Sequence, residues 1–324
     1  MNQLEQIKQP VAKDLIRFEQ IFEETLHHKN PLLNSVFEHI RQRKGKQMRP
    51  TLLFLTAREF GTPSDATFLS AVMLELLHTA SLVHDDIVDE SDERRGQASV
   101  NASYGNKVAV LVGDFLLSTS LEKAAETKNL RIVDHISKLG KQLSSGEIIQ
   151  LSNTKADDFS EKTYYDVIQL KTATLFSETA ELGPISVGAT DENVICMHRF
   201  GEALGMCFQI RDDIFDYYDN SEIGKPTGND MAEGKLTLPA LFALNDSPTD
   251  KMIRIGKHVK AGIATHKEIL QLVKYAKSKG GIEYAYAKMQ EYSAKALSLI
   301  SNFNNKEVKQ ALTLYVDYVS RRTF

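Results

Sequence analysis

Apolar residues recur at a spacing near 3.6 along almost the whole chain, and the strict alternation of half-buried strands is nowhere sustained. That periodicity predicts an all-α fold. Helices are expected at 4–27, 31–42, 49–60, 65–88, 106–126, 129–150, 161–188, 191–218, 235–244, 249–260, 266–278, 281–300 and 305–320. Turn residues mark the joints at Gly61-Thr62-Pro63, Gly96, Gly105, Gly224 to Gly228 and Ser247-Pro248. No long Ser/Gly or Pro linker intervenes, so the 324 residues read as one helical domain, 1–324. The long uncharged faces at 71–83 and 175–187 suit central helices surrounded on several sides.

Composition narrows the class. Apolar residues at 42% and charged residues at 25% exclude a disordered chain, and 39 basic against 43 acidic residues give no reason to expect nucleic acid as a partner. Cys196 and Cys207 cannot build a disulfide framework and match no zinc spacing, which points to a reducing cytoplasm. The amino end, MNQLEQIKQPVAKDLIRF, lacks a signal-peptide core. The most apolar stretches, 69–83 and 108–117, are interrupted by Glu75, His78 and Asp114, so they read as buried helices and no integral membrane segment is expected.

Two acidic segments stand out from this helical background. His84-Asp85-Asp86-Ile87-Val88-Asp89 recurs in form as Arg211-Asp212-Asp213-Ile214-Phe215-Asp216, each after apolar helical sequence. Residues four apart share a helix face, so Asp85 with Asp89 and Asp212 with Asp216 each present two carboxylates one turn apart, flanked by Asp86 and Asp213. Like charges this close disfavour ionisation unless a cation joins them. An all-oxygen set without a cysteine or paired histidines favours Mg²⁺ over zinc, and Mg²⁺ shares its remaining positions with phosphate oxygens. A single such segment is also compatible with a solvated helix end; two copies in the same context are harder to read that way.

Basic groups accompany the acids. Arg94-Arg95 follows the first cluster, with Gly96 allowing the chain to turn back, although a surface salt-bridge network would use the same residues. Gly45-Lys46-Gln47-Met48-Arg49-Pro50 places Pro at a helix start, where backbone donors and side-chain charge together suit an anion. Lys171-Thr172 sits in a helix of low charge density, and the segment GKPTGNDMAEGKLTLP after the second cluster carries Lys225, Asp230 and Lys235 without the spacing of a P-loop.

GKQMRP at 45–50, LLHTASLVHDDIVDESDERRG at 76–96, GDFLLS at 113–118, Lys171-Thr172, FQIRDDIFDY at 208–217 and GKPTGNDMAEGKLTLP at 224–239, in this order, resemble the trans-isoprenyl diphosphate synthases, in particular their polyprenyl (octaprenyl-type) branch. The likeness runs over about residues 30–321. It implies the all-α isoprenoid synthase fold around a central cavity, usually as a homodimer, and head-to-tail condensation of isopentenyl diphosphate with an allylic diphosphate. By resemblance Asp85, Asp86, Asp89, Asp212, Asp213 and Asp216 hold Mg²⁺, about three ions with substrate bound, directly or through water. Arg94, Lys171, Lys225 and Lys235 look like cationic partners of the allylic diphosphate, and Gly45, Lys46, Arg49, His78 and Arg95 like the isopentenyl diphosphate site. Thr172 and Gln209 resemble polar residues beside the reacting carbons. Asp85, Asp86, Asp89, Lys171, Thr172, Gln209, Asp212 and Lys235 are thus the expected catalytic set, without a separate protein base.

Product length depends on what closes the tunnel below Asp85. Ala80 and Ser81, five and four residues before it, are small where farnesyl-making members resemble a pattern of bulky aromatics; Leu77 lies one turn deeper, and the helix near 132–143 is a further floor. An open upper floor and the octaprenyl-type pattern lead to an expected product of about C30–C50. A shorter geranylgeranyl or farnesyl product is the alternative. A terpene cyclase and a non-catalytic helical partner subunit are the remaining classes, both disfavoured by two acidic sites and a full basic inventory. Such a product could bring the enzyme to a membrane surface peripherally.

Overall fold

The computed structural model describes residues 2–42, 45–94, 96–153, 159–218 and 227–321. The chain forms two compact units, one of 1–140, 178–198 and 303–312 and the other of 141–177, 199–302 and 313–324. The expected all-α character is borne out in both.

The first unit begins with α1 (Gln3–Lys8), α2 (Ala12–Thr25), α3 (Pro31–Arg41), α4 (Met48–Phe60) and α5 (Asp65–Val88). Pro10 breaks the continuous helix expected at 4–27: lacking an N–H, it sits in a tight 3₁₀ turn, Gln9–Val11, between α1 and α2. After α5 comes a minimal antiparallel ribbon, β1 (Glu93–Arg94) and β2 (Gln97–Ala98), with Glu93 opposite Ala98. Then follow α6 (Val100–Tyr104), α7 (Asn106–Glu126) and the start of α8 (Leu130–Asn153).

α5 is the spine of this unit. A capping box between Ser64 and Thr67 starts it, and twelve of its side chains are buried. Among the described residues it is the one helix long and apolar enough to cross a bilayer, yet 61% of its most apolar window is buried within the protein, as suits a core helix. Its broadest packing is against α7. A Cβ on Gly113 would stand 2.2 Å from His84 Nε2, so glycine here leaves the space that the His84 imidazole occupies between the two helices. His84 Nε2 in turn lies 3.3 Å from the Val110 carbonyl and 3.5 Å from Asp114. The Gly-Asp pair of GDFLLS is explained by that crossing.

The second unit takes the rest of α8, then α9 (Glu161–Ile168), a π-helical turn (Gln169–Ala173) and the start of α10 (Thr174–Ser186). It continues with most of α11 (Asp191–Phe215), then α12 (Asn229–Ala232), α13 (Leu238–Asp246), α14 (Asp250–Lys260), α15 (His266–Ser278) and α16 (Gly281–Leu299), before α17 (Lys306–Arg321) ends the described chain. The π turn divides the helix expected at 161–188. Gly205 of α11 admits it: a Cβ there would lie 2.5 Å from the Ala173 Cα, so α11 rests directly on the backbone that carries Lys171 and Thr172.

Candidate active site

In the first unit the DDIVD segment closes α5. Asp89 is the C-cap, its amide hydrogen-bonded to the Asp85 carbonyl at 2.8 Å, and Asp85 is half-buried, Asp86 buried and Asp89 exposed. The i, i+4 pair is therefore presented at a helix end. Further back along α5, His78 is half-buried, Leu77 and Ala80 are buried, and Ser81 donates to the His78 carbonyl at 2.9 Å. Leu77 reaches α8, its Cδ1 lying 3.9 Å from where a Cβ on Gly140 would be. Gly45 and Lys46 are exposed just before α4; Gln47, in the left-handed conformation at φ 53°, turns the chain into the helix. Arg49 faces Glu75 at 3.7 Å, while Arg49 Nε and Glu75 Oε1 are both buried without a hydrogen-bond partner. Arg94 is in β1, and its side chain, like Arg95 and Lys225, lies outside the described residues.

In the second unit a cavity of about 210 Å³ gathers Lys171, Thr172, Gln209, Asp213 and Lys235 from the expected set. Tyr164, Asp230 and Lys260 line it as well, and Val167, Ile168 and Leu241 supply apolar wall. Lys171 is ion-paired with Glu147 and stands 3.4 Å from Gln150 Oε1. Lys235 pairs with Glu233 at 2.7 Å, and its amide donates to the Asp230 carbonyl at 2.8 Å. The two lysines thus reach the cavity already held by acids.

The DDIFD carboxylates are deployed unequally. Asp212 is half-buried. Asp213 is 3% exposed and accepts from Tyr164 Oη at 2.6 Å and from Gln209 Nε2 at 2.8 Å; Thr172 Oγ1 donates to Gln209 Oε1 at 2.8 Å. Asp216 accepts the backbone amides of Asn229 at 2.9 Å and Asp230 at 3.3 Å, and so caps α12. Burial first, then the charge of Asp230, pushes the Asp213 carboxyl well above the usual carboxylate range, against the pull of Tyr164 and Gln209. A cavity lined by the carboxylates of Asp213 and Asp230, with Asp212 adjacent to Asp213 in the sequence, is chemically suited to a divalent cation.

One further cluster was not anticipated from the sequence. His135 of α8 and Glu178 and Glu181 of α10, all in the first unit, bring their ligand atoms within 4.8 Å of one another, the spacing a metal ion requires. His135 Nδ1 lies 2.9 Å from Glu178 Oε2 and 3.0 Å from Glu181 Oε1, and His198 of α11 is 3.1 Å from Glu181 Oε2. Burial opposes charge on His135, but its hydrogen bonds to the two glutamates outweigh it and raise the imidazole to about 10. Burial drives Glu178 upward; for Glu181, hydrogen bonds from His135 and His198 overcome the same burial and hold it low. The one nitrogen ligand, from His135, distinguishes this cluster from the all-oxygen set of the aspartates, and the imidazolium already satisfies both carboxylates. The signal in the sequence was Glu178 and Glu181, i and i+3 in an otherwise apolar helix.

The chain matches the polyprenyl synthetase family model over residues 30–276. An octaprenyl diphosphate synthase of Haemophilus influenzae is 34% identical over 312 residues, spanning 95% of this chain and 94% of that protein. Among solved structures, a geranylgeranyl pyrophosphate synthase from Bacteroides thetaiotaomicron is 46% identical with a TM-score of 0.87, covering 99% of this chain and 100% of that one. A polyprenyl synthase from Caulobacter crescentus, complexed with calcium and isoprenyl diphosphate, superposes with a TM-score of 0.91 at 28% identity, covering 99% and 98%. The all-α architecture is the fold of these structures.

Proposed function

We propose, from the premise that this chain belongs to the polyprenyl synthetase family and is an enzyme of the trans-prenyltransferase class, that it elongates an allylic diphosphate to a geranylgeranyl-type product. The coarser activity is general to the family: head-to-tail, Mg²⁺-dependent condensation of isopentenyl diphosphate with an allylic diphosphate. The observation that carries the site reading is the cavity that joins Lys171, Thr172, Gln209, Asp213 and Lys235.

Asp85, Asp86 and Asp89 on α5 and Asp212 on α11 are the residues proposed to hold Mg²⁺, with Asp213 and Asp216 ordering the surroundings of Asp212 through the hydrogen bonds they already make. When bound, Mg²⁺ neutralises the diphosphate and so favours its departure. Lys171 and Lys235, with Arg94 and Lys225, are assigned to the same diphosphate, and Gly45, Lys46, Arg49, His78 and Arg95 to isopentenyl diphosphate. The allylic C–O bond breaks, the isopentenyl double bond supplies the electrons of the new C–C bond, and the proton lost from the isopentenyl unit passes to the released diphosphate. Thr172 Oγ1 and Gln209 Oε1, hydrogen-bonded to each other at the cavity wall, are assigned to stabilise the allylic carbon as it becomes positive.

The shorter product rests on two observations. The solved structure 46% identical to this chain is a geranylgeranyl pyrophosphate synthase. Leu77, eight residues before Asp85 and so about 12 Å back along α5, is buried, with its Cδ1 3.9 Å from where a Cβ on Gly140 of α8 would stand, and is proposed as the floor that stops the product after a few isoprene units. The octaprenyl diphosphate synthase likeness and the small Ala80 and Ser81 favour a second reading, a product of about C30–C50. Product analysis after incubation with isopentenyl and farnesyl diphosphates and Mg²⁺ decides between them: one C5 addition supports the first, several the second, and a cyclic hydrocarbon rejects both.

A further inference from the structure

We propose that Tyr164 is a positioning residue for prenyl transfer, holding Asp213 so that the amide of Gln209 turns its carbonyl oxygen, together with Thr172, toward the cavity. This rests on the reading of that cavity as the prenyl-transfer site.

The argument follows from donors and acceptors. Both oxygens of the Asp213 carboxyl act as acceptors here, Oδ2 from Tyr164 and Oδ1 from Gln209, and an amide has a donating end and an accepting end. Asp213 Oδ1 therefore takes the amino end of Gln209, at 2.8 Å, and the carbonyl end is left for the hydroxyl of Thr172, at 2.8 Å. A neighbour that could also donate would let the amide settle either way. Asp213 can impose this orientation only if it is itself fixed, and its other oxygen is fixed by the Tyr164 hydroxyl at 2.6 Å. Tyr164 is 6% exposed and packs edge-on to Tyr165 at 5.3 Å, so its hydroxyl is a rigid donor. The line Tyr164, Asp213, Gln209, Thr172 connects α9, α11 and the π turn along one side of the cavity. Its last two oxygens are the groups an allylic cation would meet. Without the phenol, Asp213 Oδ2 would lose its donor and the orientation of Gln209 would lose its support.

Tyr164→Phe keeps the ring and removes only the donor. The expected result is a fall in kcat of about tenfold, with KM for both diphosphates within about threefold and the melting temperature nearly unchanged. In a Gln209→Ala background the same substitution should change kcat by less than about twofold, because its effect passes through Gln209. Asp213→Asn provides a second route: asparagine can accept from Tyr164 and donate to Gln209, so the amide reverses and kcat should fall by more than in Tyr164→Phe. Unchanged kcat in Tyr164→Phe, or an equal loss with and without Gln209, overturns the proposal; if Tyr164→Phe does not fold, unchanged kcat in Asp213→Asn does so. Selective ¹⁵N-glutamine spectra need no turnover, and a Gln209 side-chain amide signal unmoved in Tyr164→Phe also overturns it. Absence of prenyl transfer by the wild-type protein would instead count against the activity assigned to the cavity.

Discussion

The carboxylate of Asp216 accepts the backbone amide of Asn229 at 2.9 Å, tying the end of α11 to the start of α12 across the segment between them. The next amide, of Asp230, completes the cap at 3.3 Å, and the Asp230 carbonyl then receives the amide of Lys235 at 2.8 Å. A residue expected from the sequence to hold metal thus also orders the chain that delivers Lys235 to the cavity.

Asp216→Ala should cost about 1 kcal/mol of stability, the usual worth of an N-cap, and raise KM for the allylic diphosphate as Lys235 loses its support. Asp216→Asn, which retains one accepting oxygen, should recover part of both. Thermal melts and steady-state kinetics of the two variants provide the check; equal effects from both would argue against the capping role.

The His135 cluster predicts a pH dependence of stability. His135 is raised from 6.5 to about 10 in the folded state. Its contribution is fully present below pH 6.5 and is lost as pH rises toward 10, at most about 5 kcal/mol from the size of the shift and less once solvent screening of the partly exposed ring is counted. Glu178, also raised, acts in the same direction, being most stabilising when protonated; Glu181, held low, contributes above its unfolded value and loses that contribution only as pH falls. Denaturant melts should show stability declining between pH 7 and 10 more steeply in the wild type than in His135→Gln. Identical slopes would mean the imidazolium is not held as the geometry indicates.

Gly113→Ala should destabilise the first unit by about 1–3 kcal/mol or prevent folding, because the new methyl would meet His84. Pairing it with His84→Ala should restore most of the loss, a non-additivity that calorimetry of the double variant measures.

Much of this was legible in the sequence, for identifiable reasons. Periodicity located the helices because burial of one face enforces it, and α5 at 65–88 and α15 at 266–278 have the expected bounds. The helix expected at 161–188 conceals the π turn at 169–173, since one shifted hydrogen bond leaves no mark on apolar spacing. The aspartates, Lys171, Gln209 and Lys235 could be singled out by their motifs. Tyr164 could not: a tyrosine in an amphipathic helix looks like core, and its partner Asp213 is 49 positions away. His135 and Glu178 escaped for the same reason, being polar groups that satisfy one another across 43 positions.

Tunnel depth can be tested from both directions. Ser81→Phe places an aromatic ring one turn before Asp85 and should shorten the product, whereas Leu77→Ala removes the contact toward Gly140 and should lengthen it. Chain-length analysis of the extracted products gives the answer, and a product unchanged by both substitutions would remove α5 as the floor.

Asp85→Ala should lower kcat on the order of a thousandfold while the protein remains folded, since its loss falls on the transition state. The most direct measurement joins that variant to the wild type: incubation with isopentenyl and farnesyl diphosphates, with and without Mg²⁺, followed by product profiling. The account predicts stepwise C5 addition ending at the geranylgeranyl product, dependent on Mg²⁺ and nearly abolished in Asp85→Ala. Prenyl transfer that persists without divalent metal, or a wild-type protein that releases a cyclic hydrocarbon or leaves both substrates unjoined, would contradict it.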